Sequence, residues 1–175
     1  MTERTERSGA AVAAVRVEAP GDVESVRAVL VAAFDGEAEA GLVETLRDSD
    51  AWLPDLSVVA VQDQSIIGYA LLSRIVIAGD EDVPALALGP VAVLPEAQRR
   101  GIGTAMIRDT LARAPDERLV VVLGDPAFYR RFGFVAASAL GITGAWMSFG
   151  DPWQALPRGE PVAGEALYPD AWDDL

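Results

Sequence analysis

The stretch Gln98-Arg99-Arg100-Gly101-Ile102-Gly103-Thr104 decides the fold, because it separates two segments of different pattern. The apolar run 86–94 precedes it and predicts a strand, whereas residues 106–114 follow it with the spacing of an amphipathic helix. A tight glycine turn between strand and helix aims several backbone N–H groups, and the positive end of the helix dipole, at one point. The stretch therefore predicts a phosphate-binding turn.

Four residue types are absent from the chain: Cys, His, Lys and Asn. Without Cys or His we expect no metal site, no disulfide and no Ser-His-Asp triad. Without Lys the turn cannot be the phosphate loop of an NTPase, which ends in Gly-Lys-Ser or Gly-Lys-Thr. Met106 stands where a dinucleotide-binding GxGxxG motif has its third glycine, so that interpretation is weak as well.

The chain of 175 residues suggests one domain, and its net charge of −13 comes from 14 arginines and 27 acids. This balance argues against nucleic-acid and anionic-membrane partners. It indicates a solubilising acidic surface, with a cationic or amine substrate as the alternative. Seven arginines nevertheless lie within residues 96–131, so the turn itself is locally basic and suits a polyanionic small ligand. No apolar run reaches the roughly 18 residues of a membrane helix, and we expect a cytoplasmic protein.

The remaining pattern predicts the order β-α-α-β-β-β-α-β-α-β-β, which implies a mixed sheet with helices on both faces. Pro90 interrupts the strand at 85–94, and a proline there usually marks an edge or a bulge. Residues 1–14 are expected to be a disordered tail. The predicted strands are 15–17, 57–61, 66–77, 85–94, 119–123, 134–136 and 145–149, and the predicted helices outside the turn are 22–34, 37–48 and 125–131.

Three segments together resemble the GNAT superfamily of acetyl-CoA-dependent N-acyltransferases, and residues 124–129 and 167–172 further resemble a bacterial subgroup of predicted acetyltransferases. The segment 98–103 resembles the family's glycine turn, 89–95 its bulged fourth strand, and 128–134 its Tyr-x-x-x-Gly-Phe helix end. The resemblance covers roughly residues 15–149. It implies an α/β fold with a mixed, mostly antiparallel central sheet, a bulged and splayed strand, and helices on both faces. The implied domain is 15–150, with 151–175 packing on it or extending it.

The resemblance also implies a cosubstrate, acetyl-CoA, and no metal. The turn amides would hold the pyrophosphate, Arg99 and Arg100 would screen its charge, and the strand backbone would pair with the pantetheine arm. A backbone N–H near Val91 would stabilise the oxyanion. Many members of the family carry an Asn that binds cofactor where this chain has Asp125, and capping of the short helix is the alternative role for it. The implied cofactor contacts are Val91, Ala92, Val93, Gln98, Arg99, Arg100, Gly101, Ile102, Gly103, Thr104, Asp125 and Phe128.

Tyr129 is the implied general acid, which would protonate the leaving thiolate. Many relatives take their general base from a carboxylate or a His on the bulged strand, and this chain has neither there. Glu37 and Glu39, at the start of the second helix, are the candidate bases, and a water chain is the alternative. The aromatic residues Trp146, Trp153, Tyr168 and Trp172 are candidate walls of the acceptor pocket, or else packing or dimer contacts.

The activity implied by the resemblance is transfer of an acetyl group to the primary amine of a small molecule by direct attack on the thioester. Two alternatives remain open: a peptide or protein N-acetyltransferase, and a non-catalytic acyl-CoA-binding sensor. A nucleotide- or sugar-phosphate-binding domain is a third. A homodimer is a further possibility for the assembly.

Overall fold

The computed structural model describes residues 13–114 and 116–175, so residues 1–12 of the expected tail lie outside the described residues. The strands are β1 (Ala14–Val17), β2 (Ser57–Gln62), β3 (Ser65–Ala78), β4 (Val83–Val93), β5 (Leu119–Leu123), β6 (Val135–Ala136), β7 (Ile142–Gly144), β8 (Trp153–Pro157) and β9 (Gly164–Leu167). The α-helices are α1 (Val23–Phe34), α2 (Ala38–Arg47), α3 (Ile102–Arg113) and α4 (Pro126–Tyr129).

The strands of the described ranges form one sheet in the order β1-β2-β3-β4-β5-β8-β6. One edge of β3 pairs with β4. The other edge pairs with β2 along the first half of β3 and with β9 along its second half, and β7 pairs with β9. The β4–β5 and β7–β9 pairs are parallel, and the others are antiparallel. The predicted mixed, mostly antiparallel sheet is therefore confirmed.

The sheet has a hydrophobic core on each face, because successive side chains of a strand point to opposite sides. On β3, Leu71 and Ile75 pack with the helices α1 and α2, whereas Ala70 packs against Met106 of α3. Leu72, next to Leu71 in the chain, likewise packs in a cluster with α3 on the second face. Helices thus cover both faces, as predicted.

A β-bulge in β4 reverses which face its side chains occupy. Leu72 pairs with Leu88 and Ala70 with Val91, so three steps along β4 match two along β3. Ala87, before the bulge, and Ala92, after it, both face α1 and α2. In a regular strand they would face opposite sides, because they are an odd number of residues apart. The extra residue lies at Gly89-Pro90, where the sequence predicted an irregularity.

The same bulge separates β4 from β5. The parallel pairing covers Leu86 to Leu88 on β4 and ends there. From Gly89 to Val93 no described strand pairs with the outer edge of β4, so its backbone groups face an open groove. The separation of the parallel strands β4 and β5 beyond Leu88 opens the space in which the candidate site lies.

The predicted elements up to residue 136 are confirmed, and most of their ends agree within about two residues, the usual uncertainty. Helix α3 begins at Ile102, four residues before the predicted run 106–114, and the helix predicted at 125–131 is α4 followed by a 3₁₀ turn at Arg130–Phe132. The predicted strand 145–149 is wrong: Ala145–Phe149 forms a 3₁₀ helix. Three short strands, β7, β8 and β9, were not predicted, and β8 lies between β5 and β6. The C-terminal segment 151–175 thus supplies two strands of the central sheet.

Candidate active site

The glycine turn begins where β4 ends and runs into the first turn of α3. Arg99 and Gly101 both have positive φ angles, 60° and 82°, and Gly101 is the N-cap of α3. Its carbonyl accepts a hydrogen bond from the Ala105 N–H at 3.0 Å, which closes the first helical turn. No side chain of the described residues caps this helix, so the first N–H groups of α3 are free to receive an anion.

A groove of about 560 Å³ lies over this turn and along the free edge of β4. The turn and the strand contribute Val91, Val93, Gln98, Arg99, Gly101, Gly103 and Thr104, and the α4 region contributes Phe128, Tyr129 and Arg131. Eight of the twelve predicted cofactor residues therefore line one continuous groove, which we call the cofactor groove. Its basic side chains, Arg99 and Arg131, fit a polyanionic ligand.

The other four predicted cofactor residues do not line the groove. The side chains of Ala92 and Ile102 are buried in the core, so only their backbone groups could serve a ligand. Arg100 is exposed beside the groove. Asp125 accepts a hydrogen bond from the Ala127 N–H at 2.8 Å and so caps α4, the alternative role considered above.

Two further contacts shape the groove. The Gln98 side-chain amide donates a hydrogen bond to the Val93 carbonyl at 3.1 Å and ties the turn to the end of β4. A Cβ at Gly103 would lie 3.8 Å from Val93 and 3.9 Å from Phe128, so the glycine keeps the space between these side chains open.

Tyr129 lies at the end of α4, in an aromatic cluster that fixes its ring. Phe128 and Phe134 contact it edge to face, with centroid distances of 5.1 Å and 5.7 Å. The ring also lies against Gly124, where any side chain would collide with it. Burial raises the pKa of Tyr129 to about 12, so the phenol is protonated at neutral pH. None of the described residues hydrogen-bonds its hydroxyl.

Arg131 was not among the predicted site residues. Its guanidinium lies 4.6 Å from the centre of the Phe128 ring, and its Nε donates to the Phe128 carbonyl at 3.2 Å. The signal that could have revealed it is local: Arg131 follows Tyr129 by two residues, on the segment that borders the groove.

A second cavity of about 410 Å³ meets the cofactor groove at Val91 and Tyr129, which line both. We call it the acceptor cavity. Its lining combines α1 and α2 (Phe34, Ala38, Glu39, Leu42), the splayed strands (Leu88, Gly89, Pro90, Val91, Leu123), Tyr129, and the C-terminal part (Trp146, Phe149, Trp172, Leu175). Tyr129 therefore stands where the contents of the two spaces would meet.

The two candidate bases are placed differently. Glu39 lines the acceptor cavity, and no ion pair or hydrogen bond to it occurs among the described residues. Glu37 does not line it and is exposed, with its carboxylate 3.2 Å from Arg27. Arg27 also binds Glu44, at 2.6 Å, so Glu37 and Glu44 share one guanidinium on the surface. The structure thus brings Glu39, and not Glu37, to the site.

Of the four aromatic residues predicted as walls of the acceptor pocket, two line the cavity and two do not. Trp146 and Trp172 line the acceptor cavity, and Trp172 lies close to Gly89 at the bulge. Trp153 and Tyr168 lie behind them, where the Trp153 indole N–H donates to the Tyr168 hydroxyl at 3.2 Å. The described residues contain no cluster of three or more acidic side chains that could hold a metal ion.

Comparison with known proteins identifies the family of the chain. The family model described as "Acetyltransferase (GNAT) domain" matches residues 14–137. The chain is 36% identical over 127 residues to the uncharacterised N-acetyltransferase YhbS of Escherichia coli, covering 71% of this chain and 74% of YhbS. It is 34% identical over 116 residues to the uncharacterised N-acetyltransferase YjhQ of the same organism, covering 65% and 64%.

Two solved structures are similar over nearly the whole chain. The E. coli YhbS structure in complex with CoA matches with a TM-score of 0.85, 29% identity and 96% coverage of both chains. A GNAT family acetyltransferase from Brucella melitensis, in complex with acetyl-CoA, matches with a TM-score of 0.76 and 34% identity, covering 92% of this chain and 98% of that one. The protein belongs to the GNAT family and is an N-acetyltransferase. In the described ranges no helix has the length and hydrophobicity to span a membrane.

Proposed function

We propose that the protein transfers the acetyl group of acetyl-CoA to the primary amine of a small molecule. The observation that carries this proposal is the meeting of two cavities at Val91 and Tyr129. One cavity has the chemistry of a nucleotide phosphate site, and the other has a single acidic side chain, Glu39, in an apolar wall. Two relatives are known in complex with CoA and acetyl-CoA, which supports the first assignment.

The cofactor groove fits a pyrophosphate. The uncapped N–H groups of α3 and the two glycines allow close approach of phosphate oxygens, and Arg99 and Arg131 supply positive charge. The free edge of β4 offers backbone groups to the amides of a pantetheine arm, as if to an added strand. Since Gln98 already occupies the Val93 carbonyl, the pairing would rest on the backbone nearer Val91.

When bound, acetyl-CoA supplies a thioester: the amine nitrogen forms a bond to the acetyl carbon as the carbon–sulfur bond breaks. Tyr129 donates its proton to the departing sulfur, and a backbone N–H near Val91 stabilises the oxygen that becomes negative. The amine loses one proton, which Glu39 or water accepts. The products are the N-acetyl amine and free CoA, and Tyr129 regains its proton from solvent.

Acetyl-CoA binding and CoA release together test the proposal. Ligand at about 100 times its dissociation constant adds about 2.7 kcal/mol to stability, and we expect the melting temperature to rise by roughly 5–10 °C. An amine panel that monitors free thiol should then identify acceptors. Absence of a shift at millimolar acetyl-CoA would refute the cofactor assignment, whereas a shift without thiol release from any amine would indicate a sensor.

The pH dependence of turnover follows from the raised pKa of Tyr129, about 12. A general acid acts in its protonated form, so raising its pKa extends activity toward alkaline pH. At saturating amine we expect no alkaline decline in kcat from about pH 7 to about pH 10. A decline with a midpoint below about pH 9 would contradict a general-acid role for a phenol with this pKa. The measurement is thiol release, corrected for spontaneous thioester hydrolysis.

A further inference from the structure

The acceptor cavity has an apolar wall with a single charged side chain among the described residues. Within the described part of the chain, Glu39 is the one lining residue with a formally charged side chain, and no arginine lines the cavity. Most other lining side chains are aliphatic or aromatic, among them Trp146, Trp172 and Leu42. A volume of about 410 Å³ is within the range of small-molecule pockets.

The mouth of this cavity is apolar as well. Four of its lining residues are large hydrophobic side chains that remain 40–53% exposed: Phe34, Leu123, Phe149 and Leu175. Eight large hydrophobic side chains are 37–53% exposed in the described ranges, and four of these eight surround one opening. Such a concentration marks a binding site, because single exposed hydrophobic residues are ordinarily scattered.

Glu39 lies among these groups without a cationic partner. The two other acids of α2 and its N-cap, Glu44 and Glu37, bind Arg27, whereas no described residue pairs with Glu39. A half-buried carboxylate in an apolar wall attracts a cation more strongly than one in water, because the surroundings screen it less. It also repels an anion at the same place.

We propose that this cavity takes a primary amine with one positive charge and an apolar aryl or alkyl body, whose ammonium group Glu39 holds. The inference rests on the proposed acetyl transfer and names its acceptor class. Polyamines and aminoglycosides carry several charges, and Glu39 is the one described side chain of the wall that could pair with any of them. Amino acids would bring a carboxylate against Glu39.

A matched acceptor series tests the proposal with 2-phenylethylamine, ethanolamine, spermidine and phenylalanine as probes. We expect kcat/KM for 2-phenylethylamine to exceed that for ethanolamine by at least about 100-fold, because the phenyl ring is buried. Phenylalanine differs from 2-phenylethylamine by one carboxylate and should be poorer by about 100-fold or more. Equal or better activity with spermidine or ethanolamine would overturn the inference.

Glu39→Gln separates recognition from base catalysis. Loss of a base lowers the rates with 2-phenylethylamine and phenylalanine alike, so it cancels in the ratio of their kcat/KM values. Loss of charge recognition lowers that ratio, and we expect a decrease of about tenfold or more. Glu37→Gln is the control, since Glu37 does not line the cavity, and it should leave the ratio unchanged. An unchanged ratio in Glu39→Gln would refute the ammonium contact.

Two exposed neighbours test the apolar mouth. Phe149→Ser should reduce the preference for 2-phenylethylamine over ethanolamine, whereas Met147→Ser should not, because Met147 is 51% exposed and does not line the cavity. Light scattering of the same variants reports the oligomeric state. If Phe149→Ser converts a dimer to a monomer and leaves the preference intact, the mouth is an interface between copies and the inference fails.

Equilibrium binding tests the acceptor class independently of the proposed acetyl transfer. Calorimetry on the CoA complex measures the affinities for 2-phenylethylamine and phenylalanine without turnover. A preference for 2-phenylethylamine by about tenfold or more supports the cavity assignment even if no thiol is released, in which case the proposed transfer alone fails. Equal affinities, or binding of neither amine, would overturn the acceptor class.

Discussion

Tyr129→Phe is expected to lower kcat by about 10²–10⁴-fold while leaving acetyl-CoA binding intact, because it removes the hydroxyl group that donates the proton and keeps the ring. The Tyr129 hydroxyl has no hydrogen-bond partner among the described residues, so phenylalanine breaks no bond within the protein. The ring contacts with Phe128, Phe134 and Gly124 remain. Single-turnover and steady-state thiol release measure the loss, and the thermal shift with acetyl-CoA measures retained binding.

Tyr168→Phe is the matched control for this variant. Tyr168 is similarly buried, and its pKa is likewise raised to about 12 by burial. Its hydroxyl accepts a hydrogen bond from the Trp153 indole, and it lines neither cavity. We expect Tyr168→Phe to keep kcat within about threefold of the wild type, since it touches no reacting atom. Equal kcat values for wild type and Tyr129→Phe would remove Tyr129 from the chemistry.

Gly101→Leu is expected to abolish the stabilisation by acetyl-CoA. Gly101 lines the cofactor groove, and no atom lies within 4 Å of where its Cβ would be, so a leucine side chain would take the space that phosphate needs. The φ angle of 82° adds a backbone cost of about 1–2 kcal/mol for any side chain. The measurement is the melting temperature with and without acetyl-CoA, which separates the loss of binding from the loss of stability.

The comparison of Gly101→Ala with Gly141→Ala separates a loss of stability from a loss of ligand binding, although a Cβ at Gly141 would also lie 3.3 Å from the Ala163 Cβ. Gly141 has a similar left-handed conformation, with a φ angle of 73°, and lies outside both cavities. Both variants should lower the melting temperature of the free protein by a few degrees, which is about what 1–2 kcal/mol produces. Only Gly101→Ala should also weaken the response to acetyl-CoA. A full response in Gly101→Leu would mean that phosphate does not approach this glycine.

The glycine turn and the bulge were predictable because their signals are local. Gly101 allows a positive φ angle and a close approach to the backbone, and Pro90 cannot donate to a neighbouring strand, whatever else surrounds them. The periodic segments were also predictable, since β3 and α1 bury long, regular patterns of side chains. The family resemblance added Tyr129, whose role no pattern of spacing defines.

The C-terminal strands were not predictable because they carry no local signal in the sequence. Strands β7 and β9 are short, and each contains a glycine, so neither shows an alternation such as Val15-Arg16-Val17 in β1. The apolar segment 145–149 has the composition of a strand, but the tertiary structure uses it as a 3₁₀ helix that directs Trp146 and Phe149 to the acceptor cavity. Whether such a segment forms a strand depends on the strand that pairs with it, and that strand is distant in the sequence.

The choice between Glu37 and Glu39 was likewise beyond the sequence. Two residues that are two positions apart at the start of a helix point in directions about 200° apart, so at most one can face a given cavity. Which one does so depends on how α2 packs against α1 and on Arg27, which binds Glu37. The acidic pair was found from the sequence, but its orientation needed the fold.

By itself the sequence determined the glycine turn at 98–104, the bulged strand before it and the order of the main helices and strands up to residue 136, because each depends on residues adjacent in the chain. Only the tertiary structure decided the acceptor cavity, which joins residues from Phe34 to Leu175 across four parts of the fold. The physical reason is that an apolar wall with one acidic side chain is a property of residues brought together by packing. Its meeting with the cofactor groove at Val91 and Tyr129 exists only after the sheet has formed.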